Sequence, residues 1–230
     1  MKNSHNLYKT NLMFNYDKYD CKNNSLSNFK GELEIYNSNN PIIKTLSNRF
    51  INKIEIILKN IKAYSYVGLD VGCGEGNLLN KLYYKQALKN IVAVDTNETR
   101  LKYALINHPI CSYLKQDIFH LGFRSNTFDY IIATEIFEHL PDPILAMEEL
   151  KRVAKIEGRL IISVPYEPFF HWGNLLRGKH LKNYGKTPNH LNFWNKTEFQ
   201  EFLKPYVKIT QKFSASTFPW LVYNGIFRKS

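Results

Sequence analysis

Apolar runs that alternate with amphipathic segments are the feature of this sequence that most limits its fold. The segments "NIVAVD" (90–95), "FDYIIAT" (128–134) and "GRLIISVP" (158–165) are nearly continuous apolar runs of strand length. Two further strands are predicted at "YVGLDV" (66–71) and, more weakly, at "CSYLKQD" (111–117). Strands that are apolar on both faces belong to a parallel sheet covered on both sides, so the pattern predicts an α/β fold.

Helical periodicity appears before and between these runs. Residues 43–62 place apolar side chains three and four positions apart, which predicts an amphipathic helix. A second helix is predicted over 142–155, with Asp142 as its N-cap and Pro143 in its first turn. Two shorter helices are predicted over 76–86 and 97–107.

The two ends of the chain follow a different pattern. Residues 1–40 are rich in Asn and Ser and are predicted to form an irregular N-terminal arm or lid, so the main domain is predicted over 41–230. A helix is predicted over 195–205, with a capping box from Thr197 to Gln200. The segments "VKITQKF" (207–213) and "WLVYNGIF" (220–227) are predicted closing strands.

The amino-acid composition limits the binding partners and the cellular compartment that can be predicted for the protein. The net charge of +11 fits a polyanion such as RNA, but the lysines are spread along the chain without a dense basic run, which is typical of a solvated surface. The three cysteines lie far apart and suit a reducing compartment. No apolar run is long enough to cross a membrane and no signal peptide is evident, so a cytoplasmic protein is predicted.

The segment "LDVGCGEGN" joins the first predicted strand to the helix after it. Its glycines are Gly72, Gly74 and Gly76, and glycine allows a positive φ and a close approach of a ligand to the backbone. In an open parallel sheet, ligands bind at the carboxyl ends of the strands. We therefore expect a ligand at this loop.

The side chains around the loop limit what the ligand is. The spacing is G-x-G-x-G, and Asn77 occupies the place of the third glycine of a dinucleotide fingerprint. Asp70 and Glu75 would repel a pyrophosphate but suit a cationic ligand. Asp95 ends the second strand, where an acidic side chain can accept both hydroxyls of a ribose.

The motif D-x-G-x-G-x-G, the acidic strand end in "VAVD" and the stretch "KQDIFHLGFRSNTFDYIIATEIFEHLPDP" resemble class I S-adenosylmethionine-dependent methyltransferases, over roughly residues 42–213. The resemblance implies a Rossmann-like seven-stranded, mostly parallel sheet with helices on both faces and an antiparallel last strand. It also implies S-adenosylmethionine as the cofactor. The cofactor-binding residues predicted on this basis are Asp70, Gly72, Cys73, Gly74, Gly76, Asp95, Thr96, Asp117, Ile118 and Thr134.

The resemblance also implies a division of labour among these residues. The glycine loop would contact the methionine part of the cofactor, and Asp95 would hold the ribose. Asp117 and Ile118 would border the adenine. The residues after the fourth strand, Thr134 and Glu135, would lie by the methyl centre.

The segment "TEIFEHLPDP" gathers Glu135, Glu138 and His139 within five positions. If these residues form one helical turn, the three side chains share a face. Two carboxylates so close together need a positive charge nearby. That charge would come from the cofactor's sulfonium and ammonium groups, from a divalent metal ion, or from a neighbouring Arg or Lys with solvent.

The E-x-x-E-H pattern resembles ubiquinone-pathway O-methyltransferases and small-RNA 3′-terminal 2′-O-methyltransferases, in which the matching residues bind a divalent cation. The resemblance implies a site for Mg, Mn or Zn formed by Glu135, Glu138, His139 and His190. The pattern also occurs in members of the family without a metal, where it holds the strand end. His139, His190 and Glu135 are the predicted catalytic residues, and without a metal His139 or His190 would be the general base.

Residues 166–194 follow the fifth strand and are predicted to cover the acceptor. Aromatic and basic residues are mixed in this insert, which suits a nucleobase with phosphates or a small acceptor that carries an acid group. The main prediction is O-methylation of a small or lipid- or glycosyl-linked acceptor. The alternatives are a metal-dependent RNA-terminal 2′-O-methyltransferase and a non-catalytic cofactor-binding protein with the same fold.

Overall fold

The computed structural model of the chain describes residues 39–167, 169, 189–214 and 216–228. All seven strands lie within these ranges, and four of them have the predicted bounds. The remaining 38 residues of the predicted arm, and residues 168 and 170–188 of the predicted insert, lie outside the described residues. The strands are β1 (Val67–Val71), β2 (Asn90–Asp95), β3 (Ser112–Lys115), β4 (Phe128–Thr134), β5 (Ala154–Pro165), β6 (Val207–Phe213) and β7 (Trp220–Phe227).

The seven strands form one sheet in the order β3-β2-β1-β4-β5-β7-β6. The pairs from β3 to β5 are parallel, and β7 runs antiparallel to both β5 and β6. This topology confirms the predicted Rossmann-like sheet with an antiparallel last strand. The strand order reverses between β1 and β4, which is where such a sheet opens a crevice at its carboxyl edge.

Two layers of helices cover the sheet. The helices in the described residues are α1 (Pro41–Asn60), α2 (Asn77–Tyr84), α3 (Glu98–Asn107), α4 (Pro143–Val153) and α5 (Lys196–Leu203). Apolar residues of α1, α2 and α3 pack on one face of the sheet, and those of α4 and α5 pack on the other. None of the helices in the described part of the chain has both the length and the apolar character needed to cross a membrane.

Side chains at the helix starts explain where these helices begin. Asp142 caps α4 as predicted, because its carboxylate accepts a hydrogen bond from the Leu145 amide. The predicted capping box from Thr197 to Gln200 is wrong. Asn195 is the N-cap of α5 and forms the box with Glu198, because its extended backbone aims the amide oxygen at the first free N–H groups.

The start of β5 also differs from the prediction. The strand begins at Ala154, directly after α4, rather than at Gly158. Its register against β4 shifts between Phe128 and Tyr130, and Glu157 has a φ of 62°. This irregularity interrupts the apolar pattern, so the first residues of the strand carry no periodic signal.

We expect Gly68→Ala to destabilise the fold by about 1–3 kcal/mol, because a methyl group there overpacks the core. A Cβ on Gly68 in β1 would clash with the ring of Tyr130, which is fully buried in β4. Urea unfolding followed by circular dichroism measures the loss. Gly122→Ala is the matched control, since its Cβ would meet ordinary contacts at 3.5 Å. Equal stability of the two variants would contradict this account of the β1–β4 packing.

Candidate functional site

The glycine loop after β1 leaves space for a ligand at one position. Gly72, Gly74 and Gly76 all have a positive φ, at 72°, 54° and 73°. A Cβ on Gly72 would lie 2.6 Å from the Ile136 side chain, and one on Gly76 would lie 2.8 Å from the Tyr113 hydroxyl. A Cβ on Gly74 would meet no atom of the described residues within 4 Å. As far as the described residues go, the loop is packed at its two ends and open in the middle.

Asp95 at the end of β2 braces the open part of the loop. Its Oδ2 accepts a hydrogen bond of 2.9 Å from the Gly74 amide, and its Oδ1 accepts one of 2.8 Å from the Asn97 amide. Each carboxylate oxygen has a further lone pair, and the side chain is half-buried. Asp95 is thus held in place with acceptor capacity to spare, as the predicted ribose contact requires.

Acidic side chains surround the loop. Burial raises the pKa of the Asp70 carboxyl well above its usual range, and the nearby Asp95 raises it further. Burial also raises the pKa of Glu75, and a hydrogen bond from Asn77 opposes this shift. A bound cation would stabilise the ionised forms of these groups, so the residues present fit a positively charged ligand without phosphate.

A buried chain of hydrogen bonds supports the loop from behind, and sequence reasoning missed it. Asn77 Nδ2 donates to Glu75 over 3.1 Å, and Asn77 Oδ1 lies 3.3 Å from Nε2 of His108. Because Asn77 Oδ1 is an acceptor, Nε2 of His108 carries the hydrogen. The Tyr113 hydroxyl donates to the His108 carbonyl over 2.8 Å and packs against Gly76. His108 lies beyond α3, where no periodic pattern points to it.

The other predicted cofactor residues lie at or next to the carboxyl ends of neighbouring strands. Thr96 and Asp117 are exposed, Ile118 is buried in the core, and Thr134 is buried at the end of β4. Cys73 is half-buried, and burial raises the pKa of its thiol. The sheet thus gathers these residues at the edge where the glycine loop opens.

Glu138, His139 and His190 form a second group. One potential ligand atom from each of the three side chains lies within 4.8 Å of the others. Glu138 is only 1% exposed, and its Oε2 has no hydrogen-bond partner among the described residues. Its Oε1 lies 3.9 Å from Nε2 of His139, and the two imidazole rings are 4.9 Å apart. We call these three residues the Glu–His cluster.

The segment 189–192 brings His190 to this cluster. The amides of Leu191 and Asn192 both donate to the Glu138 carbonyl, over 2.7 and 3.0 Å. Nδ2 of Asn192 donates to the carbonyls of Phe137 and Leu140, over 3.1 and 2.7 Å. These four bonds fasten residues 189–192 to the 3₁₀ turn Phe137–His139 and to Leu140, the residue after it.

A fifth bond sets the orientation of His139. Its Nδ1 lies 2.8 Å from the carbonyl oxygen of Asn189. A carbonyl only accepts hydrogen bonds, so Nδ1 carries the hydrogen. In the neutral ring this leaves the lone pair on Nε2, which is the nitrogen near Glu138.

Glu135 lies outside the Glu–His cluster. It has a φ of 56° and precedes the 3₁₀ turn, so it does not share a helical face with Glu138 and His139. Its Oε1 accepts a hydrogen bond of 2.9 Å from Ser163 Oγ, and its Oε2 accepts one of 2.8 Å from Trp220 Nε1. Burial raises the pKa of Glu135 to about 7, against the effect of these two donors.

The Glu–His cluster fits a divalent cation. Burial raises the pKa of Glu138 well above its usual range, and Glu135 and then Glu167 add to the effect. The site offers one buried carboxylate with an unsatisfied oxygen and two imidazoles. Ligands of this kind bind Mn or Zn and, less typically, Mg. A bound cation would favour the ionised form of Glu138.

Comparison with known proteins agrees with the geometry. Residues 69–162 match the family model Methyltransf_11, a methyltransferase domain. An uncharacterized methyltransferase of Schizosaccharomyces pombe is 33% identical over 115 residues, which cover 44% of this chain and 40% of that protein. The malonyl-[acyl-carrier protein] O-methyltransferase of Halalkalibacterium halodurans is 25% identical over 141 residues, covering 59% of this chain and 52% of that protein.

A solved structure shows the same fold. Magnesium protoporphyrin IX methyltransferase (ChlM) from Synechocystis PCC 6803 with bound SAH has a TM-score of 0.61 and 16% identity, covering 82% of this chain and 88% of that one. The chain spans about half the length of the two curated relatives. Together, the fold and these matches support a class I methyltransferase, the class whose cofactor is S-adenosylmethionine.

We expect Asp95→Ala to weaken the affinity for S-adenosylmethionine about 10- to 100-fold, because the variant loses one or two hydrogen bonds to a charged acceptor. Isothermal titration calorimetry measures the dissociation constant. Glu201→Ala is the control, since Glu201 is an exposed acid on α5 that pairs with Lys204. Unchanged binding by the Asp95 variant would exclude the predicted ribose contact.

Proposed function

We propose that the chain transfers the methyl group of S-adenosylmethionine to an oxygen of a small or lipid- or glycosyl-linked acceptor, with a divalent cation held by the Glu–His cluster. The observation that carries this proposal is the convergence of Glu138, His139 and His190 within 4.8 Å, just beyond the end of β4. Since β4 is parallel to β1 and next to it, the cluster and the glycine loop belong to the same edge of the sheet.

The protein's main contribution to this reaction is alignment. The glycine loop and Asp95 would hold the donor at the ends of β1 and β2, and the cluster would hold the acceptor at the end of β4. Methyl transfer is an in-line displacement at carbon, so fixing the acceptor oxygen, the methyl carbon and the sulfur in line lowers the barrier. S-adenosylmethionine supplies the activated methyl group, and a divalent cation lowers the pKa of an acceptor hydroxyl.

The acceptor hydroxyl must also lose its proton during the transfer. Nε2 of His139 has the lone pair in the neutral ring, because Nδ1 donates to Asn189. With a cation bound, this lone pair would be a metal ligand, and the hydroxyl proton would pass to solvent because the cation makes the hydroxyl more acidic. Without a cation, the same lone pair of His139 would accept the proton as a general base, with His190 beside it at a ring distance of 4.9 Å. We place Glu135 next to the methyl centre, on the side of Ser163 and Trp220.

A relative supports the choice of oxygen as the methyl acceptor. The Halalkalibacterium halodurans protein is an O-methyltransferase whose acceptor is attached to acyl-carrier protein. The match covers 52% of that protein. It therefore supports the reaction class and leaves the identity of the acceptor to experiment.

An RNA-terminal 2′-O-methyltransferase is the second candidate, and one observation favours it. The downstream histidine that the resemblance to such enzymes implies, His190, lies in the cluster with Glu138 and His139. The net charge of +11 would also favour a polyanion.

Removal of divalent cations should lower turnover about 100-fold or more, because the cluster loses the charge that activates the acceptor. The measurement is SAH formation with pooled hydroxyl acceptors, before and after EDTA dialysis and after return of Mg, Mn or Zn. Cofactor affinity should stay unchanged by calorimetry, since the glycine loop does not use the cluster. Full turnover without metal would exclude the metal-assisted mechanism, and cofactor binding without turnover on any acceptor would favour a non-catalytic protein.

The class of acceptor can be tested by offering the protein two pools of compounds, hydroxyl compounds and RNA oligonucleotides. We expect small and lipid- or glycosyl-linked hydroxyl compounds to be methylated, and RNA oligonucleotides with a free 3′ end to be inert. Tritium transfer from labelled cofactor to each pool measures this. Methylation confined to RNA, with an affinity that falls steeply with added salt, would favour the second candidate.

A further inference from the structure

We propose that Glu167 is a positioning residue for His190, which it orients within the Glu–His cluster. The inference rests on the proposed metal centre and adds to it a residue that no sequence motif points to. A carboxylate that holds the second nitrogen of a ligating histidine fixes the ring's tautomer and orientation and increases its basicity.

The contact between the two residues is buried and close. Oε1 of Glu167 lies 4.0 Å from Nδ1 of His190, and the side chains of Glu167 and His190 are 8% and 7% exposed. An anion removed from water needs a partner of positive or donating character. At 4.0 Å the two groups form an electrostatic contact and not a hydrogen bond, and a carboxylate at this distance favours the ring that carries its hydrogen on Nδ1. The lone pair of the neutral ring is then on Nε2.

Glu167 acts from behind the cluster and is not one of its members. The group whose ligand atoms lie within 4.8 Å of one another contains Glu138, His139 and His190, without Glu167. Glu167 is nevertheless near enough to Glu138 to raise the pKa of that carboxyl. Its negative charge therefore adds to the attraction of the site for a cation while His190 lies in contact with it.

The backbone holds both members of this pair in the same region. Glu167 comes two residues after β5, and its amide donates to the Trp194 carbonyl over 3.1 Å. His190 belongs to the segment 189–192, which the 3₁₀ turn holds through the Glu138 carbonyl. The distance between Glu167 and His190 is thus fixed by β5 and by the turn after β4.

Glu135 and Glu167 differ in how they meet the cluster. Both oxygens of Glu135 already accept hydrogen bonds, from Ser163 and Trp220. Glu167 lies at ion-pair distance from His190. Because of this contact, we assign support of the cation site to Glu167, although the E-x-x-E-H pattern contains only Glu135 and Glu138.

The test is the affinity of the metal-free full chain for Mn²⁺ alone, measured by the loss of the free-ion EPR signal. We expect Glu167→Gln to weaken Mn²⁺ binding about 10- to 100-fold, and Glu167→Asp to weaken it less. His190→Gln should weaken it at least as much as Glu167→Gln. The control Glu201→Gln, on the exposed side of α5, should bind Mn²⁺ as the wild type does.

A double variant separates positioning from general charge. If Glu167 acts through His190, Glu167→Gln should have little further effect in the His190→Gln background, because the two changes remove one interaction. An equal loss in both backgrounds would overturn the assignment, as would wild-type affinity of Glu167→Gln. Failure of the wild type itself to bind Mn²⁺, Co²⁺ or Zn²⁺ would instead remove the metal centre on which the inference rests.

Nitrogen-15 NMR of the wild-type protein reports which ring nitrogen of each histidine carries the hydrogen, so this test does not depend on whether a variant folds. The wild-type spectrum should show His190 with its hydrogen on Nδ1, the nitrogen that faces Glu167. Hydrogen on Nε2 of a neutral His190 ring would overturn the assignment. Circular dichroism of each variant reports whether a loss of Mn²⁺ affinity comes with a loss of folded structure.

Discussion

Parallel pairing of β1 with both β2 and β4 is the constraint on which the rest of the structure depends. It places the glycine loop, Asp95 and the turn after β4 at one edge of the sheet. The strand order reverses at this point, which is where an open parallel sheet forms a crevice at its carboxyl edge. Every contact assigned to the donor or the acceptor follows from this placement.

The two halves of the site differ in how they are held. The glycine loop is held locally, through amides that bond to the Val94 carbonyl and the Asp95 carboxylate. The Glu–His cluster depends on a segment distant in sequence, since residues 189–192 reach it by bonding to the turn Phe137–His139 and to Leu140. Contacts with the adjacent strand thus shape the glycine loop, whereas contacts between segments more distant in sequence assemble the Glu–His cluster.

This difference explains what the sequence could predict. Strands such as 90–95 and 128–134 have the predicted bounds because their apolar runs end at charged or small polar residues. The partners of Glu135 are 28 and 85 residues away, and no local pattern identifies Ser163 or Trp220 as donors. The cap of α5 was misassigned because Asn195 and Thr197 are both good caps, and only the backbone angle distinguishes them.

The hydrogen bonds on either side of residues 168–188 have a consequence for how chains with this arrangement diversify. The Glu167 amide donates to the Trp194 carbonyl, and the Asn189 carbonyl accepts from His139, so both attachment points are bonded to the described frame. The entropic cost of closing a loop rises only slowly with its length, so a change in length between these points would cost little. Selection is therefore free to rewrite the intervening stretch for new chemistry while the frame stays constant.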